Sequence, residues 1–339
     1  MNIRFWWTTH PAQQRAPWPL YVCMILLAAL SSGYSKMSAA AVTIALPIRI
    51  NSAPVLIASS RGLFKKSGLD VVSQPFLLGR DALQSLLDGK AELALAAETP
   101  VMLALLGGRD ISILAGIYHG RRTVAILTRN DRGINQLADL KGKSIGVTKG
   151  TNHAYFLAAM LSVSGIPGKA VRTMYSQPEA IIGNFKDGKL DAAVVFEPFL
   201  AVVEAQMGAS VRKFYGEDIY AFRYLLVGRT SYVEANPNEV RRFLGAVAQA
   251  NRMIRDEPLV TRRLVGEAIK ENQAIMTKLW NPEEYVLSLD QALLLTLEDQ
   301  SRWALEEGLV KSRPMPDFLQ SIKYQHLEAV LPSAVKLRR

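Results

Sequence analysis

Only one cysteine occurs in the 339 residues, Cys23, and only four histidines. Cys23 falls inside the N-terminal segment that reads as an export signal, so the chain left after cleavage has no disulfide, no thiolate nucleophile and no cysteine metal ligand. His119 and His153 stand too far in sequence from carboxylates to suggest a metal site, and neither groups with a serine and an acid as a hydrolytic triad would require. No cofactor, metal or catalytic constellation is therefore expected. Long apolar runs are missing as well. About 20 apolar residues are needed to cross a bilayer core, and the stretch from Leu20 to Leu30 is roughly half that. It follows Arg4 and Arg15 and is broken by Ser31, Ser32 and Gly33, and the small residues Ala39, Ala40 and Ala41 suit a signal peptidase. Residues 1–41 are read as a cleaved export signal, which predicts a periplasmic product beginning near Val42.

Charge is biased but not concentrated. The net charge of +10 becomes +7 once Arg4, Arg15 and Lys36 are removed. No dense basic run carries interleaved aromatics, and no zinc-finger or helix-turn-helix spacing occurs, so nucleic acid is not expected as a partner. The roughly 300 remaining residues suffice for two lobes with their own cores.

Short β-branched runs alternate with longer amphipathic segments, which implies α/β layers. The strands include Val42 to Leu46, Ser112 to Gly116, Thr123 to Leu127 and Ser144 to Val147. Helices are predicted at Pro54 to Arg61, Arg80 to Leu87, Pro100 to Leu106, Asn152 to Ser164, Pro178 to Phe185 and Pro198 to Met207. An internal echo links Leu87-Asp-Gly-Lys-Ala-Glu-Leu-Ala-Leu-Ala-Ala-Glu98-Thr-Pro100 to Lys186-Asp-Gly-Lys-Leu-Asp-Ala-Ala-Val-Val-Phe-Glu197-Pro198. In each copy an Asp-Gly turn leads into an apolar strand, and a proline opens the next helix. Two lobes of similar build are implied. Past residue 230 the pattern turns helical, with helices predicted over Asn238 to Asp256, Leu259 to Glu271, Pro282 to Thr296 and Gln300 to Glu307. This tail is expected to pack on the first lobe.

The order and spacing of Ser60-Arg-Gly-Leu-Phe, Leu86-Leu-Asp-Gly-Lys-Ala-Glu, Glu98-Thr-Pro, Leu137-Ala-Asp-Leu-Lys-Gly-Lys-Ser-Ile-Gly-Val and Phe196-Glu-Pro resemble the periplasmic binding proteins of importers for nitrate, sulfonate, taurine and thiamine pyrimidine precursors. The resemblance covers nearly all of Val42 to Pro332. It implies a type II two-lobed periplasmic-binding-protein fold, each lobe a doubly wound sheet flanked by helices. The expected first lobe is discontinuous, 42–128 and 223–339, and the second is 129–222. Thr123 to Thr128 and Tyr224 to Val227 are the predicted crossovers, forming a two-strand hinge. The implied function is binding, without enzymatic turnover: a substrate-binding component of an ABC-type importer, acting as a monomer and delivering its solute to a membrane permease with its ATPase. Three alternatives stand beside it. They are capture of a thiamine-pyrimidine-like precursor, a sensing module for a membrane kinase, and a pyrimidine-synthesis enzyme of the same fold, which would depend on a cysteine motif that this chain lacks.

In open α/β sheets the ligand sits beyond the carboxyl ends of the strands, where helix N-termini point. Thr148-Lys-Gly150-Thr151-Asn152 follows a strand and opens a helix, so its amides and hydroxyls are candidates for an anionic or polar group, or simply a helix cap. Glu98, Thr99 and Glu197 lie at equivalent points of the repeat, as hydrogen-bond acceptors for an amine or as carboxylates held by helix amides. Ser52, Arg80 and Tyr118 complete the candidate ligand-binding set, Arg80 through a fork of donors suited to a sulfonate, nitrate or carboxylate. Tyr155, Phe196 and Phe222 are candidates for aromatic walls. The helix N-termini and Arg80 favour an organic anion; the glutamates favour an amine-bearing ligand.

Overall fold

The computed structural model describes residues 41–311 and 314–338. The export signal and Cys23 lie outside the described residues. From β1 (Val42–Pro47) the chain runs through α1 (Ala53–Ser60), the short α2 (Leu63–Lys66), β2 (Val71–Phe76), α3 (Gly79–Leu87), β3 (Leu93–Ala97) and α4 (Glu98–Leu106) to β4 (Ile111–Gly120). It continues with β5 (Val124–Arg129), β6 (Ser144–Val147), α5 (Asn152–Val163), β7 (Arg172–Tyr175), α6 (Pro178–Lys186), β8 (Ala192–Phe196), α7 (Phe199–Met207) and β9 (Val211–Phe214). After β10 (Phe222–Arg229) come α8 (Thr230–Ala235), α9 (Pro237–Asp256), α10 (Pro258–Ile269) and α11 (Gln273–Leu279). β11 (Leu289–Asp290), α12 (Gln291–Glu306), α13 (Phe318–Ser321), α14 (Tyr324–Glu328) and β12 (Val335–Lys336) finish it.

Two five-stranded sheets share one plan, β2-β1-β3-β10-β4 and β7-β6-β8-β5-β9. In each, three strands are parallel and the fourth is antiparallel to both neighbours. The antiparallel strand of each sheet is the one that has just arrived from the other lobe. The expected crossovers, Thr123 to Thr128 and Tyr224 to Val227, fall on the strands by which the chain enters each sheet after changing lobes. Val124 to Thr128 is a buried strand paired with β8 and β9, and Tyr224 to Val227 is buried between β3 and β4. The crossing itself is confined to residues 121–123 and 215–221.

The repeat is structural as well as sequential. Gly89 and Gly188 take the left-handed conformation at φ 75° and 74°, which a side chain would strain, and so turn α3 into β3 and α6 into β8. Glu92 accepts a hydrogen bond from the Thr43 amide at 2.9 Å, and its counterpart Asp191 accepts from the Ser144 amide at 2.8 Å. Each carboxylate thereby locks the incoming strand to the central strand beside it. Arg229 pairs with Glu92 at 2.9 Å, and Arg132 lies 3.7 Å from Asp191.

The strands β3 and β8 bury nearly every side chain, and a fully buried Leu, Ile or Val contributes about 1.5–3 kcal/mol through removal of apolar surface from water. In the helical C-terminal part, α9 packs on α1 and α2, with Phe64 and Phe243 stacked at 4.6 Å. The helix predicted over Pro282 to Thr296 does not form as one piece. A 3-10 turn at Pro282–Glu284 and the strand β11 interrupt it, and one helix, α12, covers the rest together with most of the Gln300 to Glu307 segment. Asp290 explains the break: its side chain caps α12 by accepting from the Leu293 amide at 2.8 Å, so the helix starts there. The segment at α11 had no counterpart among the expected helices.

Candidate functional site

A cavity of about 600 Å³ opens between the two sheets. The first lobe supplies residues 48–51 after β1, residues 77–80 at the start of α3, and Tyr118, Phe222 and Tyr224 from β4 and β10. The second lobe supplies Thr148, residues 150–153 at the start of α5, and residues 196–199 between β8 and α7. Met276, Lys278, Leu279, Asn281 and Glu284 close it from the C-terminal part. Contacts already span the gap. Arg80 Nη2 donates to Gln177 Oε1 at 3.4 Å, Lys278 pairs with Glu204, and the Arg49 guanidinium lies 5.6 Å from the centre of the Phe196 ring.

Seven of the ten residues expected to bind ligand line this cavity: Arg80, Tyr118, Thr148, Gly150, Thr151, Asn152 and Glu197. Ser52, Glu98 and Thr99 do not; all three are fully buried behind it. Glu98 is held by neighbours. Its Oε1 accepts from the Tyr220 hydroxyl and from Gln300 Nε2 at 3.0 Å, and its Oε2 accepts from the Arg223 amide at 3.1 Å. Burial drives its carboxyl above the ordinary range, and these hydrogen bonds pull it back in part. A carboxylate so enclosed ties β10 and α12 to the start of α4, and its full burial leaves no exposed face for a solute. Thr99 Oγ1 joins the same group at 3.5 Å from Glu98.

At the other copy, Glu197 accepts one amide, that of Ala201 at 3.1 Å, and burial raises its carboxyl. In the turn before α5, Gly150 adopts φ 68°. Thr151 Oγ1 donates to the Thr148 carbonyl at 2.7 Å and does not cap the helix, so the first amides of α5 are left without a side-chain partner from Thr151.

Five cations line the cavity, and four have a carboxylate. Lys213 and Lys278 both clasp Glu204, Arg122 pairs with Glu217 at 3.2 Å, and Arg80 lies 3.4 Å from Asp81. Arg49 differs. Its Nε donates to the Leu77 carbonyl at 2.7 Å, and among the described residues it has no carboxylate partner. Burial depresses its pKa, with Tyr224 and Glu179 acting the other way. The sequence reading took Ser52 from this strand-to-helix turn and passed over Arg49, whose want of a carboxylate partner shows only in the folded chain. His153, weighed in the sequence only as a metal ligand or triad member, lines the cavity and stacks on Phe196 at 4.1 Å with planes 7° apart, its pKa pushed down to about 3 by burial and by Arg49. Tyr155, expected as a wall, packs instead against Tyr220 and Trp303 outside the lining.

The NMT1/THI5 like family model matches residues 49–259, more than half of the chain. The protein belongs to the NMT1/THI5-like family. A putative aliphatic sulfonates-binding protein of Bacillus subtilis is 29% identical over 207 residues, covering 59% of this chain and 62% of that protein. The taurine-binding periplasmic protein of Escherichia coli is 27% identical over 180 residues, covering 53% and 55%. Among solved structures, the periplasmic aliphatic sulphonate binding protein of Escherichia coli matches with a TM-score of 0.75 at 18% identity, covering 89% of this chain and 95% of its own. A desulfurization enzyme matches with a TM-score of 0.67 at 18% identity, covering 86% and 99%. The NMT1/THI5-like chain thus has the periplasmic-binding-protein fold, a fold that also houses an enzyme.

Proposed function

We propose that this NMT1/THI5-like protein is the substrate-binding component of an ABC-type importer, exported to the periplasm, which closes its lobes, 42–120 with 222–339 against 124–214, around an organic anion. Arg49 carries the reading. A guanidinium drawn from water into a cleft without a carboxylate is costly unless a solute supplies the negative charge. The uncapped start of α5, at Asn152 and His153, and the Thr148 hydroxyl offer further donors from the opposite lobe, so one anion bridging both favours the closed form. The relatives named for sulfonates and taurine support an anion of that kind. The protein acts as a monomer without turnover and presents its closed form to a permease and its ATPase.

Titration calorimetry of the purified protein with alkanesulfonates, taurine, nitrate and carboxylates tests this. An anion at 100 times its Kd adds about 2.7 kcal/mol to stability, and Arg49→Ala is expected to weaken binding by about 2 kcal/mol or more. Glu197 and Glu284 favour a second reading, an amine-bearing pyrimidine-like ligand. It replaces the first if such cations bind, Glu197→Gln abolishes their binding, and anions do not bind.

A further inference from the structure

We propose that the anion carried by this site has an aromatic body, an arylsulfonate or aryl carboxylate, held between one aromatic wall from each lobe. The inference rests on the anion-receptor reading and adds the chemistry of the rest of the solute. One wall is His153 stacked on Phe196, with Phe199 edge-on to Phe196 at 5.2 Å. The other is Phe222, flanked by Tyr118 at 6.0 Å and Tyr224 at 5.8 Å. All of these line the cavity except where they back one another. The Tyr118 hydroxyl is spent on Glu284, so that side chain presents its ring. His153 is neutral at physiological pH and presents a flat, uncharged face.

Size points the same way. The cavity of about 600 Å³ lies in the range of pockets that hold drug-sized ligands, roughly 300–1,000 Å³, and is roomy for a two-carbon aminosulfonate of about seven heavy atoms. The lobes already touch around this cavity through Lys278–Glu204 and Arg80–Gln177. Arg49 lies over the Phe196 ring, its guanidinium 5.6 Å from the ring centre, so the cation sits directly beside the aromatic wall. The negative group and the ring of one small molecule can therefore be satisfied together. Ring-on-ring contact adds to simple burial through offset stacking or edge-to-face geometry.

The experiment is calorimetry of the purified protein with 2-naphthalenesulfonate and benzenesulfonate against ethanesulfonate and taurine, repeated on Phe196→Leu and Phe222→Leu. The aryl anions are expected to bind at least about tenfold tighter than the alkyl ones, and either variant to reduce that ratio to about threefold or less. Far-ultraviolet circular dichroism melts check that each variant folds; if one does not, the other reads the ratio, and if neither does, the wild-type ratio decides. Equal or tighter binding of ethanesulfonate or taurine, or a ratio unchanged in a folded variant, overturns the aromatic proposal and leaves the receptor reading standing. Binding of none of the four overturns both.

Discussion

Glu98 and Glu197 end the two copies of one repeat, yet one is sealed inside the protein and the other faces the cleft. The difference comes from what the chain brings up behind each. Behind Glu98 lie Tyr220, the Arg223 amide and Gln300, all contributed by segments more than a hundred residues away. Glu197 takes its amide hydrogen bond from its own following helix, at Ala201, while Lys278 and Lys213 act on it through charge alone. The same local motif thus builds a structural tie where returning segments hydrogen-bond its carboxylate, and a cavity wall where they stand off across the cleft.

The sharpest way to break this comparison is truncation. Glu98→Ala leaves three buried donors without an acceptor and is expected to cost about 3 kcal/mol or more, whereas Glu197→Ala costs about 1 kcal/mol or less. Urea midpoints for the two variants decide; equal losses would show that burial at Glu98 is not what distinguishes the copies. The next effect is a pH dependence confined to the cleft-facing end. His153 has its pKa pushed down to about 3, so between the usual 6.5 and that value the unfolded chain binds a proton that the folded chain refuses. Stability on this account is complete above 6.5 and falls with acidification, by up to about 1.4 kcal/mol for each pH unit crossed. His153→Phe is expected to flatten the acid limb of a plot of denaturation midpoint against pH, relative to the parent protein.

A third test asks where the copies agree. Glu92→Gln and Asp191→Asn each weaken a carboxylate bond to the amide of the neighbouring strand, and both are expected to cost about 1.5 kcal/mol. Unequal costs in calorimetric melts would mean that the correspondence stops at sequence. The smallest effect is expected from Glu204→Gln, which loosens the half-exposed ion pairs to Lys213 and Lys278. It should change stability by about 0.5 kcal/mol, and less at high salt.

The α/β plan, most helices and the repeat could be read from the sequence because they are local: Asp-Gly turns, prolines at helix starts and continuous apolar strands announce themselves within a dozen residues. The turn at Thr148 to Asn152 was found for the same reason. The buried setting of Glu98 was not, since a carboxylate before a proline looks the same whether or not Tyr220 and Gln300 arrive from far along the chain. Arg49 was missed because its significance is the want of a carboxylate partner among the described residues, which only a folded structure reveals. The break at Asp290 was hidden inside an apolar periodicity that continues across it.

Phe222 pairs with Gly120 on one rung at the edge of the first sheet, so the chain departs for the second lobe and comes home at adjacent points. Everything from 121 to 221 is, in topological terms, a guest hung from the tip of a hairpin formed by β4 and β10. Excising the guest and joining the two ends with a short turn would leave every hydrogen-bonded rung of its host in place. What the host alone would lack is half of a cavity, with Arg49 turned toward water.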